Sequence, residues 1–222
     1  MIAIRSLIPA LLVPALAGSA PAAETKATDA KAAETAALAV LASEAGVHEK
    51  ARACQELAVY GDPASVGPLA ALLDQEHLAA YARSGLEGIK DPAAGKALRQ
   101  ALSRVNGRLL SGVVNSLGVR REIAAVPDLQ KLAFDAKRGV ASEALASLGM
   151  IGTGEAAKTL QKVLTDGPAD LRIPAAHAAL TAAARLAKDG NATAARGLLD
   201  SVVRALPPGN IPTAAQRQAA AL

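Results

Sequence analysis

Residues 141–164 read "ASEALASLGMIGTGEAAKTLQKVL". Gly152-Thr153-Gly154, followed by Ala157, fits the loose dinucleotide fingerprint G-x-G-x-x-A. That fingerprint needs a strand immediately before its first glycine. Here the preceding residues 143–150, "EALASLGM", are helix formers with apolar residues at helical spacing. The glycines therefore read as a tight turn between two helices rather than as a phosphate cradle.

Working outward from that turn, the same pattern returns. Aligned on Leu57, Leu86, Leu117, Leu148 and Leu186, the chain gives "LAVYGDPASVGPLAALL", "LEGIKDPAAGKALRQAL", "LGVRREIAAVPDLQKLA", "LGMIGTGEAAKTLQKVL" and "LAKDGNATAARGLLDSV". Twelve residues after each anchor stands another leucine: Leu69, Leu98, Leu129, Leu160 and Leu198. Four residues before it stand Ala53, Ala82, Val113, Ala144 and Ala182. Self-similarity at this period marks a repeat architecture, in which each unit buries its apolar face only against its neighbours. Each unit parses as helix, turn, helix. Gly or Lys closes the first helix, and Asp62-Pro63 and Asp91-Pro92 supply an N-cap with Pro at the first helical position. In the first unit Val66, Leu69, Leu72 and Leu73 form the expected buried face of the second helix.

Composition agrees with an all-α fold. The chain has 222 residues, is rich in Ala and Leu, and carries only two Tyr, one Phe and no Trp. Such a core requires closely spaced helices. The net charge of +4 is too small for a nucleic-acid footprint, and three scattered rings make no stacking platform. Residues 1–22 have Arg5, an apolar run and a small-x-small site at Ala20-Pro21-Ala22, the pattern of a secretory signal peptide. They imply export to the periplasm or the extracellular space, with no stable membrane span after cleavage. Residues 23–34 read as a linker, 35–206 as the repeat solenoid, and 207–222 as a tail that is either a short helix or frayed. The single Cys54 excludes an internal disulfide and reads as a core thiol.

The pattern Ala-x-x-x-Leu-Gly-x-Ile-Gly followed by an apolar-periodic helix resembles the short HEAT-like repeats first associated with phycobilin lyases. Residues 141–164 are the best copy, and about 50–205 are covered. "QELAVYGD", "VNSLGVRRE" and "ARGLLDSVVRA" are similar to exported bacterial HEAT-repeat proteins to which no reaction is assigned. The resemblance implies an armadillo-type α-solenoid, a right-handed superhelix of about five hairpins, the last of them close to a tetratricopeptide hairpin. It implies a scaffold and no particular activity.

No catalytic, cofactor or metal residues emerge. His48, His77 and His177 lie in different repeats without ligand spacing, and no nucleophile motif is present. The second helices instead carry cations in equivalent columns: Lys96, Lys158 and Arg196 at one offset, Arg99 at another, Lys131 and Lys162 at a third. Stacking should align them into a stripe, which the resemblance places on the concave side, facing an acidic protein or anionic ligand. Asp128, Glu155 and Asp200 interleave, so an ordinary solvated face stays open as a reading. Arg120 and Arg121 read either as a structural turn with Glu122 as partner or as an anchor for a carboxylate or phosphate. The expectation is a non-catalytic exported scaffold with a protein partner. The alternatives are an accessory or lyase-like subunit of an envelope enzyme, or the repeat portion of a longer enzyme.

Overall fold

The computed structural model describes residues 20–222, with side chains from residue 28 onward. The signal peptide expected at residues 1–22 lies outside the described residues, apart from the last three. Those three already belong to helix α1 (Ala20–Ala42).

Five helical hairpins follow: α2 (Val47–Tyr60) with α3 (Val66–Ala70), α4 (Ala79–Gly88) with α5 (Pro92–Ala101), α6 (Gly107–Val119) with α7 (Val126–Phe134), α8 (Ala141–Ile151) with α9 (Gly154–Asp166), and α10 (Arg172–Lys188) with α11 (Ala192–Ala205). A last helix, α12 (Asn210–Ala220), packs on α11. There is no strand among the described residues. First helices contact first helices in sequence order, so the chain is an all-α solenoid.

All five anchor leucines and all five leucines twelve residues later are buried, as are Ala53, Ala82, Val113, Ala144 and Ala182. The turns follow their sequence. Asp62 and Asp91 accept the amides of Ala64 and Ala93, each at 2.7 Å, and Thr153 and Asn191 cap α9 and α11 in the same column. Satisfying these otherwise orphaned amides starts these four second helices where the sequence places them; the turn before α7 has no such cap. Gly152 closes α8 in the left-handed region at φ 66°, which settles the opening glycine pair as a helix–helix turn.

Consecutive first helices approach to backbone contact. A methyl group at Gly149 would stand 2.6 Å from the Ala178 carbonyl oxygen, and one at Gly118 would meet the Ser147 Cα at 2.9 Å. A methyl at Gly88 would collide with the Ala58 carbonyl. The buried hydroxyl of Ser147 donates to the Val114 carbonyl across the same seam, at 2.8 Å.

Two expectations need correction, and one left open is decided. Residues 23–34, read as a linker, are part of α1. Their Ala-rich sequence favours helix, and polar contacts at residues 31 and 34 add to the apolar packing of Ala37, Leu38 and Leu41 further along α1. Glu34, buried, accepts from the Asp62 amide (2.8 Å), the Ser65 hydroxyl (2.6 Å) and Lys31 Nζ (2.6 Å). Lys31 also donates to Asp62 Oδ2 at 2.7 Å. Second, the tail contains α12, held by buried Pro212 and Ala215 and by Gln218 donating to the Leu180 carbonyl at 3.1 Å. Third, α3 ends at Ala70; Leu72 and Leu73 are buried from the turn beyond it, where amide bonds to Leu69 and Ala70 tighten the chain.

The hydrogen bond from Lys31 lowers the ionisation range of Asp62, helped by the Ala64 amide; Asp62 in turn raises that of Lys31. For the depressed carboxylate, stability is present above its unfolded range and lost as pH falls through the folded one. For the raised ammonium, stability is fully present at neutral pH and lost only at high pH. Amide exchange in the C-terminal half of α1, corrected for intrinsic rates, should therefore accelerate below about pH 4 while α8 stays protected.

Backbone contact between first helices predicts a sharp contrast among glycines. Gly88→Ala and Gly149→Ala should each destabilise by about 1–3 kcal/mol. Gly154→Ala, with nothing near its absent side chain, should fall within about half a kcal/mol of wild type. Leu129→Ala and Leu160→Ala should cost about 2–5 kcal/mol. Urea midpoints measure all five.

Candidate functional site

The second helices carry the cations selected from the sequence. Lys96 on α5, Lys131 on α7, Lys158 and Lys162 on α9, and Arg196 on α11 are all exposed. They differ in their surroundings. Lys158 donates to Glu155 Oε1 at 2.7 Å on its own helix. Lys162 stands 5.4 Å from the centre of the exposed Phe134 ring at the end of α7, a cation–π distance. Lys96, Lys131 and Arg196 have no ion-pair partner among the described residues.

Arg99 is different. It is only 32% exposed and lies 3.8 Å from Glu122 of the next hairpin. The Glu122 carboxylate rests where a side chain on Gly95 would have been, so the absence of a side chain there seats it. Glu122 is thus the partner of Arg99 and not of Arg120 or Arg121, against expectation. The single offset between adjacent residues says nothing about a neighbour one repeat back.

Helices α5 and α7 scarcely touch, and a groove of about 280 Å³ opens between them. It brings Arg99 and Lys131 together with Arg138, but Asp128 and Asp135 share the lining. Arg138 is engaged in the fold: it donates to the Leu102 and Val105 carbonyls at 2.8 and 3.0 Å, closing the end of the second hairpin. The cation columns therefore form a surface interrupted by counter-ions, open mainly at Lys96, Lys131 and Arg196.

Arg120 is an internal brace. Its guanidinium donates to the carbonyls of Leu86, Glu87, Ile89 and Asp91, at the end of α4 and in the turn before α5. Four carbonyls gather around one fork of donors, the Asp91 carbonyl also taking the Ala94 amide, which is how a helix C-terminus is satisfied by a cation. Arg121 donates to the Ile151 carbonyl at 3.2 Å and lies 3.4 Å from Asp189. Sequence reasoning did not reach two further cations, Arg185 and Lys188 on α10, because only second-helix columns were searched for charge. Neither has an ion-pair partner among the described residues.

Among the described residues no three His, Cys, Asp or Glu side chains gather into a possible metal site, and His48, His77 and His177 are all exposed. Cys54 is fully buried between α2 and its neighbours, and burial pushes its thiol up to about 11.

Residues 95–181, from within α5 to within α10, match the family model for HEAT repeats. The protein is a HEAT-like repeat protein. None of the curated proteins matches the chain. No described helix of this HEAT-like protein is long and apolar enough to cross a membrane.

Two outcomes follow for these side chains. Arg120→Met should destabilise the solenoid by at least about 2 kcal/mol, since it strands several carbonyls at once, and Arg120→Lys should recover only part of the loss. A disulfide reagent at pH 8 should modify Cys54 only as fast as the protein opens, so labelling should accelerate steeply across the urea transition.

Proposed function

We propose that this HEAT-like protein is a non-catalytic, exported scaffold that binds an acidic protein or anionic ligand on its second-helix face. One observation carries the reading: Lys96 and Arg196 in one column of α5 and α11, and Lys131 four residues further along its helix on α7, are exposed without acidic partners. Charges left unpaired on stacked helices add their fields along the stack and draw in an oppositely charged partner. HEAT repeats in general mediate protein interaction, and stacked hairpins offer the extended surface that this needs. The leader pattern of residues 1–22 supports export.

The test replaces Lys96, Lys131, Lys158, Lys162 and Arg196 together by Ser and leaves Arg99 in place, because it is paired with Glu122. Calorimetric titration with poly-glutamate at low and at physiological ionic strength is the readout. The variant should keep its helical signal, bind at least about tenfold more weakly, and lose most of the salt dependence. Equal affinity and equal salt slope would make these lysines ordinary solvated surface.

A further inference from the structure

The opposite face of the solenoid holds a second recess. It lies across the C-terminal ends of the first helices α6, α8 and α10 and has a volume of about 400 Å³. Its floor is apolar and shallow. Gly118 contributes no side chain, the Met150 methyl lies over that glycine, and Val119 is half exposed beside them. Ala184 completes the floor from α10. Around it stand three cations, Arg121, Arg185 and Lys188. Among the described residues only Asp189 pairs with any of them, and it is already beside Arg121. The rim therefore carries an excess of positive charge over an aliphatic floor.

We propose that this recess binds an acidic peptide segment of a partner protein, with an apolar side chain on the floor and flanking carboxylates on Arg185, Lys188 and Arg121. The floor contains no aromatic ring, so it offers nothing for a base or a sugar ring to stack on. Methionine and small side chains instead suit an aliphatic residue of variable shape. Arginine at the rim suits carboxylates, which it can grip with two parallel donors.

Arg121 adds an independent argument. Its φ is 53°, and it is the one non-glycine residue with positive φ among the described residues. The equivalent columns of the next two hairpins hold Gly152 (φ 66°) and Gly190 (φ 84°). In the third and fifth hairpins the turn is otherwise the same: the Glu122 amide bonds back to the Leu117 carbonyl as the Asn191 amide does to that of Leu186. Glycine would make this turn without steric cost, whereas arginine is held there in a disfavoured conformation. What the position gains in exchange is a guanidinium on the rim, held there by its bond to the Ile151 carbonyl.

The experiment measures fluorescence anisotropy of a labelled octapeptide of alternating Glu and Leu against the full chain at low ionic strength. Wild type should bind saturably, and the alternating Lys and Leu octapeptide should not bind. Arg185→Glu with Lys188→Glu should weaken binding at least about tenfold. Ala184→Trp, at an exposed position, should block the floor and do the same. Arg121→Gly should keep or raise the urea midpoint while weakening the octapeptide severalfold, a pairing that a merely structural arginine would not give. The five-residue Ser variant of the second-helix face should bind the octapeptide as wild type does, which separates this site from the one proposed above. No saturable binding by wild type, or equal affinity for wild type and the double reversal, overturns the proposal. So does binding to phosphatidylserine vesicles in place of the octapeptide, lost in the same variants, because the recess would then serve a lipid surface.

Discussion

Everything in this solenoid depends on how closely one first helix approaches the next. At Gly88, Gly118 and Gly149 the neighbouring backbone occupies the place of a side chain. Three of the four seams between first helices, all but that between α4 and α6, are thereby fixed in depth, and the anchor leucines of successive repeats lie in one continuous core. Interiors this dense tolerate neither an extra methyl nor a missing one. The scarcity of aromatic residues follows directly. A ring between α8 and α10 would hold the helices apart and leave Leu148 and Leu186 without complementary neighbours.

A second layer of order is polar and runs between hairpins. Arg83, buried enough that desolvation lowers its ionisation range, donates forward to the Gly112 carbonyl and the Ser116 hydroxyl, both at 3.1 Å. Arg120 and Arg138 donate backward to carbonyls of the second hairpin. Gln130 donates to the Thr159 hydroxyl at 2.7 Å between α7 and α9. Several arginines that make the chain basic are thus consumed inside it. The charge left for a partner is carried by fewer residues than the net value suggests, and it falls on two faces.

The sequence made the repeat legible because the deciding signal is local and recurs at fixed offsets: leucine twelve residues apart, an N-cap one residue past the turn. Leu57, Leu160 and Asp91 all stand where that arithmetic puts them. What it hid was whatever lacks an apolar period or depends on the neighbouring repeat. Residues 24–33 have no hydrophobic stripe, yet Glu34 and Lys31 bind α1 to the first hairpin through polar atoms. Exposure of Lys96 and Lys131 was readable from their columns. The pairing of Arg99 with Glu122 was not, since it depends on the rotation between one hairpin and the next and on the bare backbone at Gly95. The strained turn at Arg121 could have been noticed from its alignment with Gly152 and Gly190. The recess beside it needed three helices placed in space.

The backward reach of Arg120 and Arg138 sets an order of events during synthesis. The carbonyls of Leu86, Ile89, Leu102 and Val105 belong to the second hairpin, but their donors arrive with the third. A nascent chain that has emerged only through α5 has every residue of its first two hairpins and still cannot close the end of the second. Completion of the second hairpin waits on the third and the turn after it, so a ribosome-bound chain would carry an unfinished end one repeat long until residue 138 is released.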